Sequence, residues 1–217
     1  MHKMKKRVAY NLQVIFPSTV LAIILFICNF YIGKENFFLL LNFDGGIIAD
    51  YFFKYITYVG DGLVWLPVCI YLWIKHRTYF LTAVLSFSFS TIIAQFFKYI
   101  ILPVEPRPTL AIRNTTLIHT IQNVRLHDIG SFPSGHTATA FTVMFLFASI
   151  IEHKWLRLFL LILACCVAYS RIYLAQHFPL DIAGGIMTAI IATTVACVLS
   201  TYILSKNQKR NMYKLRV

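Results

Sequence analysis

Charge is scarce in this sequence. Asp, Glu, Lys and Arg make up 13% of its 217 residues, hydrophobic side chains make up 59%, and the mean hydropathy is +0.70. So few water-seeking groups cannot cover a soluble globular domain, which excludes that class and leaves an integral membrane protein. Acidic residues are scarcer still, eight against 20 basic ones, for a formal net charge of +12. A nucleic-acid partner is not expected from that balance, because the basic residues stand at the ends of apolar runs instead of forming one patch interleaved with aromatics. The five cysteines, Cys28, Cys69, Cys165, Cys166 and Cys197, lie in apolar segments and lack metal-ligand spacing with histidine. They read as small hydrophobes. No internal repeat is present, and no small-residue cleavage site follows the first apolar run, so a retained first helix is expected in place of a signal peptide.

What is present is a series of apolar runs over 14–32, 56–74, 79–97, 133–151, 155–169 and 182–204. The first of them is long enough to span a bilayer. The expected fold class is therefore all-α, a polytopic membrane protein with six transmembrane helices in a bundle. Residues 1–13 form a basic cytoplasmic segment in this reading, 14–204 the membrane domain, and 205–217 a basic cytoplasmic tail. Residues 36–46 are aromatic and turn-rich, as an interfacial segment would be. Residues 101–132 form the longest polar stretch, with Pro103, Pro106 and Pro108 breaking any helix early. Six spans put both termini on one side, which then holds thirteen Lys and Arg against seven. The positive-inside rule makes that side the cytoplasm.

The topology brings three distant segments to the opposite face: Lys98 with Arg107-Pro108, then Pro133-Ser134-Gly135-His136, then the stretch from Ser170 to Asp181. Lipid does not solvate ionisable groups, so such a cluster at a membrane boundary points to function. Lys98, Arg107 and Arg171 supply three positive charges, and guanidinium forks match phosphate oxygens in pairs. Backbone N–H groups of Ser134, Gly135 and His136 open a helix, where anions are favoured, and Gly135 allows close approach. Together these describe a phosphate site.

Two histidines can divide phosphoryl transfer between them. His177 and Asp181 are four residues apart, so the carboxylate can hold one ring nitrogen while the other attacks phosphorus; His136 then protonates the leaving oxygen. The cations stabilise charge on the equatorial oxygens, and no metal or cofactor is required. Two titrating groups predict a bell-shaped pH profile.

Ser-Arg-x5-His-x3-Asp (Ser170, Arg171, His177, Asp181) and Pro-Ser-Gly-His (133–136) resemble motifs three and two of the type 2 phosphatidic acid phosphatase superfamily, which includes vanadium haloperoxidases and bacterial acid phosphatases. That family's first motif is Lys-x6-Arg-Pro, whereas here eight residues separate Lys98 from Arg107. Arg125 is the substitute cation should Lys98 not reach. The resemblance implies an all-helical membrane phosphatase with His177 as nucleophile, His136 as acid and Asp181 as orienting carboxylate. Lys98, Arg107, Ser134, Gly135 and Arg171 would bind phosphate. Its membrane-bound bacterial members act on undecaprenyl diphosphate, phosphatidylglycerophosphate, phosphatidate or lipid A phosphates at the outer face of the inner membrane. A lipid-to-lipid phosphotransferase using the same phosphohistidine stays open as an alternative, as does a non-catalytic phospholipid-binding or transport protein.

Other ionisable residues have plainer readings. His119, His127 and Asp128 are expected to be solvated in the long loop, and Asp61 is expected to cap a helix. Glu105 is either a solvated acid or an orienting partner for Arg107.

Overall fold

The computed structural model describes the backbone of residues 2–214 and the side chains of residues 12–206. The basic side chains expected at the two ends, Lys3, Lys5, Lys6, Arg7, Lys209, Arg210, Lys214 and Arg216, lie outside the described side chains. Nine helices follow in order among the described residues: α1 (His2–Ile32), α2 (Lys34–Leu41), α3 (Gly46–Ile56), α4 (Trp65–Lys75), α5 (Arg77–Phe96), α6 (Pro108–Ala111), α7 (Gly135–Ala148), α8 (Lys154–Tyr173) and α9 (Pro179–Lys214). No strand occurs among these residues; a single bridge joins Pro106 to Ile129.

The protein is thus all-helical, as expected, but its spans are not six uniform ones. Among the described residues, four stretches are long and apolar enough to cross a membrane: Leu12–Ile32, Arg77–Ile101, Lys154–Tyr173 and Pro179–Lys206. A fifth is a pair, Gly46–Gly60 and Gly62–Lys75, bent by 54°. At the break, Asp61 is extended and its carboxylate accepts a hydrogen bond from the Leu63 N–H at 2.9 Å, which caps the second half. The remaining apolar helix, α7, has only 14 residues. Phe16, Phe30, Ile48 and Leu63 are among many large apolar side chains left exposed. That is the surface of a protein solvated by lipid.

Helix α9 is the centre, packing against α1, α5 and α7, while α8 packs on α7 and on the turn after α3. Without water to drive helices together, close backbone approach and van der Waals contact must do so, and α9 presents small residues for it: Ala183, Ala189, Ala192 and Ala196 are buried. A hydroxyl pair, Thr82 Oγ1 and Ser200 Oγ at 2.8 Å, joins α5 to α9 in the same interior.

Helix ends differ from expectation where they matter most. The run expected to stop at 169 continues to Tyr173, so Ser170 and Arg171 occupy the last turn of α8. Likewise α9 starts at Pro179, with Asp181 in its first turn. Hydropathy alone ends a helix at its last apolar residue, but Arg171 and Asp181 have buried partners and can stay within helices. The supposed interfacial segment is also partly a core element, since α2 buries Phe37 and Phe38.

Candidate active site

The geometry begins at the end of α8. Past Tyr173 the chain curls back on the helix, with the N–H groups of Gln176 and His177 both donating to the Arg171 carbonyl at 2.9 and 3.1 Å. Ala175 takes φ 53° to make that turn, a left-handed conformation that an L residue adopts only where its surroundings impose it. Pro179 then opens α9 and returns Asp181 beneath His177. The His177 Nδ1 lies 3.3 Å from Asp181 Oδ2, and both residues are almost fully buried. The same oxygen accepts from Ser131 Oγ and from the Phe178 N–H, at 2.9 Å for the latter. Burial, and after it the charges of Arg107, Arg171, Lys98 and His136, hold the His177 imidazole well below its ordinary pKa. A neutral ring with Nδ1–H toward the carboxylate leaves the Nε2 lone pair available.

The start of α7 is fastened to the same place. Ser134 donates its N–H to the Asp181 carbonyl at 3.0 Å. Gly184 and Gly185 permit this approach: a Cβ on Gly184 would lie 2.4 Å from the Phe132 ring, and one on Gly185 2.7 Å from the Ser134 carbonyl. The Ser134 hydroxyl caps α7, accepting from Thr137 N at 3.4 Å and from Thr137 Oγ1 at 3.0 Å. Over Gly135 the space is open, with no atom within 4 Å of where a Cβ would sit. An anion has room there against the helix N-terminus. His136 is half-buried and within electrostatic reach of Arg171, Asp61, Lys98 and Arg107.

Three cations surround these groups. Arg107 is buried, its Nε donating to the Ile129 carbonyl at 3.0 Å, Nη1 to the Gln176 carbonyl at 3.1 Å and Nη2 to the Gly130 carbonyl at 3.4 Å. Burial lowers its pKa, yet a guanidinium starts so high that it stays charged. Arg171 Nη1 donates to Thr57 Oγ1 at 2.7 Å, but its Nε is buried with no hydrogen-bond partner. An orphaned buried donor costs roughly 1–3 kcal/mol; an oxyanion in the cup would satisfy it. Lys98 sits in a π-helical turn, Phe97–Ile101, at the end of α5. The charges of Arg107, Asp181 and Arg171 all act on it, which sets Lys98 beside the cup. Such turns insert an extra residue into a helix, one way to absorb part of the longer spacing before Arg107.

The structure therefore gathers Lys98, Arg107, Ser134, Gly135, His136, Arg171, His177 and Asp181 into one cup. It leaves others out of it. His119 is largely buried and bonded instead of solvated: its Nε2 lies 3.0 Å from Asp50 Oδ1 and its N–H donates to Asn42 Oδ1 at 2.8 Å. Glu105 pairs with Lys34, not with Arg107, and Lys34 also lies over the Phe178 ring at 4.3 Å. The cysteines are free and half-buried, with Cys69 and Cys165 packed against the hydrophobic core. Sequence reasoning missed Thr57, Gln176, Ser131 and Asn42. Of these only Gln176 carried a signal, as a polar residue within the third motif; the rest are small polar groups whose partners lie far along the chain.

Beside the cup, a cavity of about 540 Å³ opens between α1, α5 and α9. Its walls are mostly apolar, among them Phe26, Ile93, Met187 and Ile191, and Glu105, Asp181 and Thr188 are the polar residues that line it.

An all-helical membrane protein whose buried imidazole is backed by a carboxylate and ringed by cations is the class that fold and site define. The sequence profile of the PAP2 superfamily matches residues 78–208, more than half of the chain, and the chain belongs to that family. It is 29% identical to an undecaprenyl-diphosphatase of Sulfolobus acidocaldarius over 76% of this chain and 82% of that one. It is 30% identical to the bacitracin transport permease protein BcrC of Bacillus licheniformis over 74% of this chain and 71% of that one. The crystal structure of Aquifex aeolicus LpxE superposes with a TM-score of 0.67 at 28% identity, covering 76% of this chain and 94% of that one.

Proposed function

We propose that this protein is a membrane lipid phosphatase that hydrolyses the phosphomonoester or diphosphate of a lipid through a phosphohistidine on His177. The observation that carries the reading is the His177–Asp181 contact inside a ring of three cations, one of them Arg171 with an unsatisfied buried donor. Binding alone has no use for an imidazole held neutral by its surroundings and backed by a carboxylate. In this mechanism Nε2 attacks phosphorus in line, Lys98, Arg107, Arg171 and the N–H groups at Ser134 and Gly135 hold the equatorial oxygens, and His136 protonates the departing lipid oxygen. Water then cleaves the N–P bond and releases phosphate. No metal takes part.

The apolar cavity that Asp181 helps to line supports a lipid as the substrate, and the names of the relatives favour a polyprenyl diphosphate. With the bent pair as the second crossing and α7 as the fourth, the chain crosses six times, residues 14–204 form the membrane domain, and both termini are cytoplasmic. The cup then faces outward from the inner membrane. The Bacillus relative's name favours a second reading, transport.

One experiment tests the choice. Purified protein in detergent is given a panel of lipid phosphates and diphosphates with a chelator present, and released phosphate is measured. Hydrolysis without acceptor lipid, lost at least ~10³-fold in His177→Ala, is the expected result. Full activity in that variant, or none from any lipid in the wild type, would sink the reading.

A further inference from the structure

We propose that Asp61, at the bend between α3 and α4, is a positioning residue for His136: it serves that ring as Asp181 serves His177, as the fixed anion that keeps a proton on it. The inference rests on the phosphatase reading and goes beyond it, because it gives the second histidine a carboxylate from outside the three motifs.

The geometry starts from Gly60. A Cβ there would lie 2.8 Å from the His136 carbonyl, 3.1 Å from the His136 Cβ and 2.6 Å from Val167 Cγ1, so the chain just before Asp61 is wedged between the first turn of α7 and α8. The same turn is tied to α8 through Thr57, whose hydroxyl accepts from Arg171 Nη1 at 2.7 Å. Asp61 follows directly, extended and half-buried, with its N–H on the Tyr58 carbonyl at 3.1 Å. One carboxylate oxygen takes the Leu63 N–H at 2.9 Å. The other accepts no hydrogen bond among the described residues.

Capping alone does not call for a charge, since asparagine or serine caps a helix start as well. An anion at a membrane boundary is costlier than either, which points to a use for the charge itself. Asp61 is the carboxylate among the charges that act on His136, beside Arg171, Lys98 and Arg107, and it acts on Arg171 too. The groups facing the ring are thus Asp61 from the bend, Arg171 from α8, Lys98 from the end of α5, Arg107 from its loop and His177 from the turn before α9. In the empty cup the three cations oppose a protonated ring. A phosphate dianion offsets them on arrival, and Asp61 then favours the imidazolium.

The reaction needs that proton. Nε2 of His177 forms a bond to phosphorus as the bond from phosphorus to the lipid oxygen breaks; that oxygen keeps the electron pair and takes the proton from the His136 ring. Water then cleaves the N–P bond, its hydroxyl going to phosphorus, its proton to His136 and the bonding pair back to Nε2. Asp61 touches neither phosphorus nor lipid and acts only through the ring.

Asp61→Asn tests this, because it keeps an oxygen for the Leu63 N–H and removes the charge, while Asp61→Glu keeps the charge. The first measurement needs no turnover: full-length protein in detergent is titrated with inorganic tungstate at neutral pH in two buffers of unequal protonation enthalpy, and calorimetry counts the protons taken up. The wild type is expected to show an uptake that His136→Gln abolishes. Asp61→Asn should lose about half of it or more, and Asp61→Glu should keep most of it. No uptake in the wild type, or equal uptake in Asp61→Asn, overturns the assignment. The second measurement compares leaving groups. In Asp61→Asn, kcat/KM should fall about tenfold or more for farnesyl phosphate, whose alkoxide needs a proton to leave, and a few-fold at most for nitrophenyl phosphate, whose leaving group needs none. Equal losses on both overturn the link to the acid. Uptake that depends on Asp61, with no phosphate released from farnesyl phosphate by the wild type, would leave the Asp61–His136 link standing and remove the hydrolase reading instead.

Discussion

Lys98, Arg107, His136, Arg171, His177 and Asp181 all fall within residues 78–208, the part that matches the family profile, whereas Lys34, Asn42 and Thr57 precede it. The later region supplies the cup; the earlier one holds it in shape. Thr57, in the turn at the bend between α3 and α4, fixes the Arg171 guanidinium. Asn42 donates to the Ile172 and Tyr173 carbonyls at 3.0 Å each, closing the C-terminus of α8 from 130 residues away. Lys34 pairs with Glu105 two residues before Arg107. Chemistry here is concentrated in short motifs, and its support is dispersed among single polar side chains.

Substitutions can break that division. The largest effect expected in the earlier region is from Asn42→Leu, which strands two helix-terminal carbonyls and the His119 N–H in the interior. At about 1–3 kcal/mol for each stranded group, the detergent unfolding midpoint should fall markedly. An unchanged midpoint would show that water replaces the amide. Next is Thr57→Val, nearly isosteric but without the hydroxyl that Arg171 uses. It should lower kcat/KM for phosphate release about tenfold, and Thr57→Ser should restore it; equal loss in both variants would assign the effect to packing.

A third test concerns pH. On the proposed mechanism His177 must be neutral to attack, and its environment moves its pKa down. The acidic limb of kcat/KM in the free enzyme should therefore lie below the 6.5 of an ordinary histidine. A limb at or above that value in the attack step would contradict the electrostatics described. Smallest is Lys34→Met: the pair is partly exposed, and such pairs contribute about 1 kcal/mol or less. A several-fold loss of turnover would move Lys34 from support to chemistry.

This comparison also explains how much was legible in the sequence. His177, Asp181 and the Pro-Ser-Gly-His run announce themselves because ionisable groups between apolar runs have few reasons to be there. The all-helical class follows from the same runs. The bend at Asp61 was not legible, because Gly60 and Gly62 read equally well as the start of a span. Nor were Asn42 and Thr57, each a common small polar residue whose importance lies in a partner more than a hundred positions away. The ends of α8 and α9 were drawn too short because hydropathy treats Arg171 and Asp181 as solvent-seeking, and it has no knowledge of Thr57 or Ser131 beside them.

The brevity of α7 has a consequence for how a lipid would reach the cup. Fourteen helical residues rise about 21 Å, against roughly 30 Å of hydrocarbon. In the six-crossing reading its N-terminus, with Ser134 and His136, is sunk several ångströms beneath the outer surface. If the substrate is a lipid phosphate as proposed, its head group would descend to the cup without being lifted into water, and its tail would stay in its own leaflet.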